Sequence, residues 1–243
     1  MEAISVHAPA LPGRAILQQF WADLTFLHWR VDPAIVAPLL PEGIVPDLFD
    51  GSTWVGLIPF RMLDTSLLGS PAVPYFGSFT EVNVRLYGVD ARGRHGVVFT
   101  SLEASRLASV VTARAAFSLP YFWASATVQH TGYDLTYRSS RLPGDGPSTL
   151  IRSRRSDVAV TDDPLADFLT ARWRLFVRRG SRTLVQANYH DPWPLFEAQL
   201  LELDDGLLAA SGFGDLALRP PDSVLYSPGV LTRFSGPREL SAD

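Results

Sequence analysis

The segment Phe79-Thr80-Glu81-Val82-Asn83-Val84-Arg85 holds a carboxylate, an amide and a guanidinium at alternate positions. In a strand, residues two apart share a face, so Glu81, Asn83 and Arg85 point one way while Val82, Val84 and Leu86 point the other. An inward polar face would be a site. A carboxylate there is either kept ionised by the arginine or pushed up in pKa by an apolar cavity, and both states suit acid or base work. An outward polar face would be the solvated side of an antiparallel strand with a weak ion pair. The pattern alone leaves both open.

A second candidate is Tyr121, in Leu119-Pro120-Tyr121-Phe122-Trp123. Proline forces the chain out of a helix, so Tyr121 starts a strand at a fixed point and its phenol can be aimed into a cavity as a donor or acid. The plain alternative is a core tyrosine. Among the histidines, His7, His28, His95, His130 and His190, no two stand at i, i+2 or i+4, so neither HExxH nor HxH nor a facial triad can be drawn and no metal site is expected. His190, in His190-Asp191-Pro192-Trp193-Pro194, lies in a turn where Trp193 can wall an imidazole against a ligand, although a structural histidine also satisfies the pattern.

Other chemistries lack their residues. The chain has no lysine and no cysteine, which removes Schiff bases, thiolates and disulfides. Gly212-Phe213-Gly214 lacks the third glycine and the following helix of a dinucleotide site, and GxxxxGK and GxSxG are absent. No cofactor is expected.

The elements that must position these residues read as mainly β. Runs rich in Val, Phe, Trp, Thr and Leu between Gly and Pro clusters predict strands near Leu17–Val31, Thr53–Met62, Phe79–Tyr87, Gly96–Glu103, Phe122–Gln129, Tyr133–Ser139, Thr149–Ser153, Thr183–Tyr189, Phe196–Leu203 and Ser223–Phe234. So many strands suggest a barrel or two packed sheets. Three helices are expected: a short one capped by Asp32 with Pro33 first, one over Arg106–Phe117 capped by Ser105, and the longest over Leu165–Arg178 after Asp163-Pro164. The serine-rich pieces Arg138–Arg141 and Arg152–Ser156 read as charged strand edges.

Length and composition set the frame. The 243 residues, 47% hydrophobic and 19% charged, suit one globular domain spanning 1–243, an α+β unit with a sizeable core. All 21 basic residues are arginine and 25 residues are acidic, for a net charge of -4, so no strong field draws the chain to nucleic acid. No stretch is long and apolar enough for a membrane span, and the start MEAISVHAPALPGRAI has no signal-peptide pattern. With the missing cysteines, this fits a cytoplasmic protein.

A resemblance adds to these readings. Phe-Thr-Glu at 79–81, Ala-Arg at 113–114 and Leu-Pro-Tyr at 119–121 resemble landmarks of the acetoacetate decarboxylase-like superfamily. His28-Trp29-Arg30-Val31-Asp32-Pro33 through Leu39-Leu40-Pro41-Glu42-Gly43 is similar to its first strand and following helix. Trp54-Val55-Gly56-Leu57-Ile58-Pro59-Phe60, Glu81-Val82-Asn83-Val84-Arg85 and His190-Asp191-Pro192-Trp193-Pro194-Leu195 resemble its YqjF-like branch of uncharacterised proteins, over nearly the whole chain. The resemblance implies a cone-shaped β-barrel with flanking helices around a pocket, in a homo-oligomer. Glu81 and Arg114 match positions beside the decarboxylases' reactive lysine, but Tyr121 stands where that lysine would be, and Ala22 stands near the place of their upstream substrate-binding arginine. A phenol forms no imine, so the lysine-dependent route is not open.

The expectation is therefore a cofactor-independent enzyme acting on a small carbonyl-bearing or keto-acid substrate by proton transfer, isomerisation, cyclisation or lyase chemistry. Glu81 would serve as general acid or base, and Tyr121, Arg85 and Arg114 as donors to a carbonyl or enolate oxygen. Asn83, His190, Trp193 and His28 would bind substrate. The alternative is an inactive small-molecule-binding protein on the same fold, and a third, purely structural reading would leave Glu81 in solvent and the interior filled.

Overall fold

The computed structural model describes residues 2–71, 77–106 and 118–240. Its strands are β1 (Ala15–Val31), β2 (Ile44–Pro46), β3 (Thr53–Leu67), β4 (Phe79–Asp90), β5 (His95–Ala104), β6 (Tyr121–Thr131), β7 (Asp134–Arg141), β8 (Ser148–Ala159), β9 (Arg174–Arg179), β10 (Arg182–Tyr189), β11 (Phe196–Asp205), β12 (Ser223–Ser235) and β13 (Arg238–Glu239). They form one sheet in the order β13-β10-β9-β5-β6-β7-β8-β11-β12-β1-β3-β4-β2. Two further pairings, β4 with β5 and β10 with β12, join strands that are distant in that order and bend the sheet back on itself. β5 runs parallel to β6 and β9.

Bending gives the sheet an inside, and β1, β3 and β4 are buried on both faces there. One face of these strands supplies Leu27, Trp29, Val55, Leu57, Val82, Val84 and Leu86 to the largest hydrophobic cluster. The other supplies Leu24, Phe26, Ile58, Phe60, Met62 and Phe79 to a second cluster around a cavity.

The strict two-residue period is broken where the cavity needs it. Between Ala22 and Leu27 the register of β1 against β3 slips by one, as it does between Gln18 and Phe20. Asp23 and Asp64 take up the extra residues with left-handed backbones (φ 52 and 53), a conformation Asp tolerates better than most residues. The slip lets Trp21 and Phe26, of opposite parity, line one cavity, and likewise Met62 and Thr65. Arg61 ion-pairs with Asp23 and pins the bulge.

Helices are short. Asp32 caps α1 (Pro33–Val36) through Ala34 N, and Asp163 caps α2 (Pro164–Thr170) by accepting from Leu165 N and Ala166 N. A third, α3, spans Leu207–Ala210. The long helix expected over Leu165–Arg178 ends instead at Thr170, and Arg174–Arg179 is strand β9. The apolar positions that mimicked a helical period are those of a strand buried on both sides: Leu175 and Val177 in one cluster, Phe176 in another. A two-residue Gly180-Ser181 loop, Gly180 at φ 61, turns β9 into β10. The serine-rich pieces expected at edges lie in β7 and β8, inside the sheet order, with Ser139 and Ser153 buried. The helix expected over Arg106–Phe117 falls, but for Arg106, outside the described residues.

Candidate active site

A cavity of about 360 Å³ opens between β1, β3, β4, β5 and β10. Its wall is mostly aromatic and aliphatic, with Trp21, Phe26, Phe60, Phe99, Trp193 and Phe234 prominent, and a small set of polar groups converges on it. That composition is typical of a small-molecule site.

The open question of strand β4 resolves inward. Glu81, Asn83 and Arg85 all line the cavity and are nearly inaccessible to bulk solvent, while Val82, Val84 and Leu86 fill the main core. β3 and β5 pair with β4 on either side, so the three side chains are held on a fixed strand.

Tyr121 also lines the cavity, as the first residue of β6. Pro120 stands directly before the strand, and Ser118 has a left-handed backbone (φ 57). Parallel pairing of Tyr121 with Leu102 then points the phenol at β4, where its hydroxyl donates to Glu81 Oε2 over 2.9 Å.

Burial pushes the Glu81 carboxyl up to about 7, with a further push from Glu103, while the Tyr121 hydroxyl and the Asn83 amide act the other way by favouring the charged form. Glu103 itself is fully buried and ion-paired to Arg141. Burial and the neighbouring Glu81 hold the Tyr121 phenol well above its ordinary range, so Tyr121 is a hydrogen-bond donor at neutral pH. Asn83 Oδ1 is buried without a hydrogen-bond partner.

Further along β4, Arg85 donates from Nε to the Tyr87 hydroxyl (3.0 Å) and from one Nη to the Leu169 carbonyl (3.0 Å). His28 stands behind this pair rather than on the cavity wall: its Nε2 is 2.7 Å from the Tyr87 hydroxyl and 3.5 Å from Arg85. Burial, with Arg85 and Arg172 beside it, holds His28 well below its ordinary pKa, so it is neutral. Its ring supports Arg85 through the Tyr87 hydroxyl that both groups meet.

His190 and Trp193 reach the cavity from the segment after β10. His190 Nδ1 donates to the Asp191 carbonyl (2.7 Å), which leaves Nε2 as an acceptor. Its ring packs 4.5 Å from Trp173 and 4.7 Å from Trp193, and burial pulls its pKa to about 4. Trp193 is fixed by an N–H bond to the Thr170 carbonyl at the end of α2.

Glu81, Asn83, Arg85, Tyr121, His190 and Trp193 are thus brought together, and Arg114 lies outside the described residues. Sequence reasoning missed Arg172, which also lines the cavity. It donates to the Phe168 carbonyl and is ion-paired to Asp47, which in turn meets His95 Nδ1 at 2.7 Å. The available signal was Arg172-Trp173-Arg174 standing just after the helix, next to a strand-like Leu175-Phe176-Val177 run.

The fold is that of the acetoacetate decarboxylase-like proteins. It aligns with an acetoacetate decarboxylase-like enzyme from Sphingomonas wittichii RW1 at TM-score 0.67 and 15% identity, covering 94% of both chains. Acetoacetate decarboxylase from Legionella pneumophila aligns at 0.65 and 14%, covering 96% of this chain and 92% of that one. The enduracididine biosynthesis enzyme MppR, complexed with pyruvate, aligns at 0.61 and 17%, covering 95% and 92%. The chain itself belongs to the DUF2071 family of uncharacterised conserved proteins, whose pattern matches residues 18–231. It is 31% identical to the uncharacterised protein YqjF of Bacillus subtilis (strain 168) over 189 residues, 77% of this chain and 78% of that protein.

Proposed function

We propose that the protein is a cofactor-independent enzyme that moves a proton at the carbon next to a carbonyl group, with Glu81 as the base and then the acid. The observation that carries this reading is one buried carboxyl, raised to about 7, hydrogen-bonded to a phenol and facing a mostly apolar cavity. A general base is most effective when its pKa lies near the working pH, and elevation by burial is a recurrent feature of such groups.

The step balances without a cofactor. Ionised Glu81 takes a proton from the carbon, the C–H electron pair becomes the enolate, and the negative charge moves from the carboxylate to the substrate oxygen. Protonated Glu81 no longer draws the Tyr121 hydroxyl as strongly, so that hydroxyl turns to the enolate oxygen. An oriented donor of this kind is worth about 10²–10³-fold in rate. Return of the proton to a different carbon gives isomerisation, and attack of the enolate carbon on a second carbonyl of the same molecule, whose oxygen then takes the proton back from Glu81, gives cyclisation.

The interior is read as that of a β-barrel, a reading supported by the β4–β5 and β10–β12 pairings. A small carbonyl or keto-acid substrate is supported by the cavity's size and by pyruvate held in MppR on the same fold.

The test is a panel of enolisable ketones and keto acids incubated with the protein in D₂O and followed by proton NMR, together with ligand-induced thermal stabilisation. Deuterium uptake in the wild type and its loss in Glu81→Gln support the reading. Binding without exchange in both proteins would make this a small-molecule-binding protein.

A further inference from the structure

We propose that the cavity binds the carboxylate of its ligand at Arg85 and Arg172, at the end remote from Glu81, so that the ligand's carbonyl and carboxylate are separated by several bonds. The inference deepens the reading above and rests on it for one point, that Glu81 marks the reacting end.

The first argument is charge. Arg85 is buried and lines the cavity, yet among the described residues it has no carboxylate partner; it is met by a phenol, a carbonyl and a neutral imidazole. Arg172 is ion-paired to Asp47, so together the three groups leave one positive charge uncompensated. A buried charge without a counter-charge is costly, and an anionic ligand removes that cost.

The second argument is an orphan donor. Arg172 Nη2 is buried with no hydrogen-bond partner, on a side chain that is 2% exposed and borders the cavity. Phe168 and Tyr87 stack on this guanidinium and fix its plane, at 4.1 and 4.9 Å from the ring centroids. Two oriented guanidinium groups suit a carboxylate, whose oxygens accept several charge-assisted bonds. One net positive charge matches one carboxylate better than a doubly charged phosphate, and the aromatic wall suits a carbon chain behind it.

The third argument is separation. Glu81 and Arg85 lie four residues apart on one strand, which places their Cα atoms about 13 Å apart. Asn83 stands between them on the same face. Arg85 turns to the Tyr87 hydroxyl and the Leu169 carbonyl, whereas Glu81 meets the Tyr121 hydroxyl. A 3-keto acid, with one carbon between its two groups, matches this spacing less well than a ligand with a longer chain between them.

The test uses calorimetric binding of 6-oxoheptanoate, its methyl ester, and acetoacetate to the wild type, Arg85→Gln and Arg172→Gln. The expected result is that 6-oxoheptanoate binds the wild type about 10-fold or more tightly than its ester, and that either substitution removes most of this ratio. Equal affinity of acid and ester for the wild type would overturn the carboxylate site, and it needs no variant to fold. Acetoacetate binding more tightly than 6-oxoheptanoate would overturn the separation. Affinity is read without turnover, so an absence of proton exchange would remove the acid–base reading while leaving these results to stand.

Discussion

The Tyr121 hydroxyl donates to Glu81 Oε2 across 2.9 Å, tying the first residue of β6 to the third residue of β4. Each group sets the other's protonation. The phenol favours the carboxylate, and the carboxylate disfavours ionisation of the phenol. The pair has one proton to place and a cavity in which to place it.

Removing the phenol should therefore raise Glu81 further. In Tyr121→Phe the carboxyl keeps its burial and loses a donor to its charged form, so its titration moves above about 7. Isotope-edited infrared spectroscopy of the glutamate carboxyl checks this; an unchanged or lower midpoint would contradict it. The lost hydrogen bond should cost about 1 kcal/mol of stability.

Glu81 also leaves a signature in stability. Between the ordinary value of 4.5 and about 7, the folded carboxyl holds a proton that the unfolded chain has released, so stability falls as pH rises through this window and is level above it. The full effect is about 3 kcal/mol at the conversion of 1.36 kcal/mol per pKa unit. Chemical denaturation at pH 5 and pH 8 should show Glu81→Gln gaining relative to the wild type at the higher pH.

His190 bends the curve the other way. Its folded pKa of about 4 lies below the ordinary 6.5, so the unfolded chain binds the extra proton and stability falls as pH drops from 6.5 toward 4. In the wild type the slopes of Glu81 and His190 oppose each other between pH 4.5 and 6.5. Glu81→Gln should expose the histidine slope. Nitrogen-15 NMR should find His190 neutral at pH 5; a protonated ring at that pH would contradict the buried acceptor.

At the Asp23 bulge the backbone, rather than a side chain, is limiting. Gly229 pairs with Ala22, has φ +129, and a Cβ placed on it would overlap the Trp21 carbonyl. Gly229→Ala should destabilise by about 2–4 kcal/mol and disturb Trp21 on the cavity wall, visible as a lower denaturation midpoint and altered tryptophan fluorescence.

What the sequence made legible, and what it hid, follows from period and distance. Alternation put Glu81, Asn83 and Arg85 on one face of β4 without saying which face was inside, because both faces are buried and a two-residue period distinguishes the faces but not their surroundings. Pro120 announced the start of β6 and hence the aim of Tyr121. The helical period drawn from Leu165 through Phe176 crossed a real boundary at Thr170, and Arg172 was lost in it, because a short helix followed by a doubly buried strand carries apolar residues at nearly helical spacing. The Asp47–Arg172 pair links residues 125 apart and has no local signal. His28, expected among the substrate-binding residues, meets the Tyr87 hydroxyl across 59 residues of chain, a contact with no local signal.

The most direct test of the central claim is the pH dependence of deuterium exchange at the carbon next to the carbonyl of a bound keto acid, in the wild type and in Glu81→Gln. The account predicts exchange that rises through a midpoint near pH 7 and a loss of about 10²–10⁴-fold in the variant. Exchange that persists in Glu81→Gln with an unchanged pH profile would contradict Glu81 as the group that moves the proton.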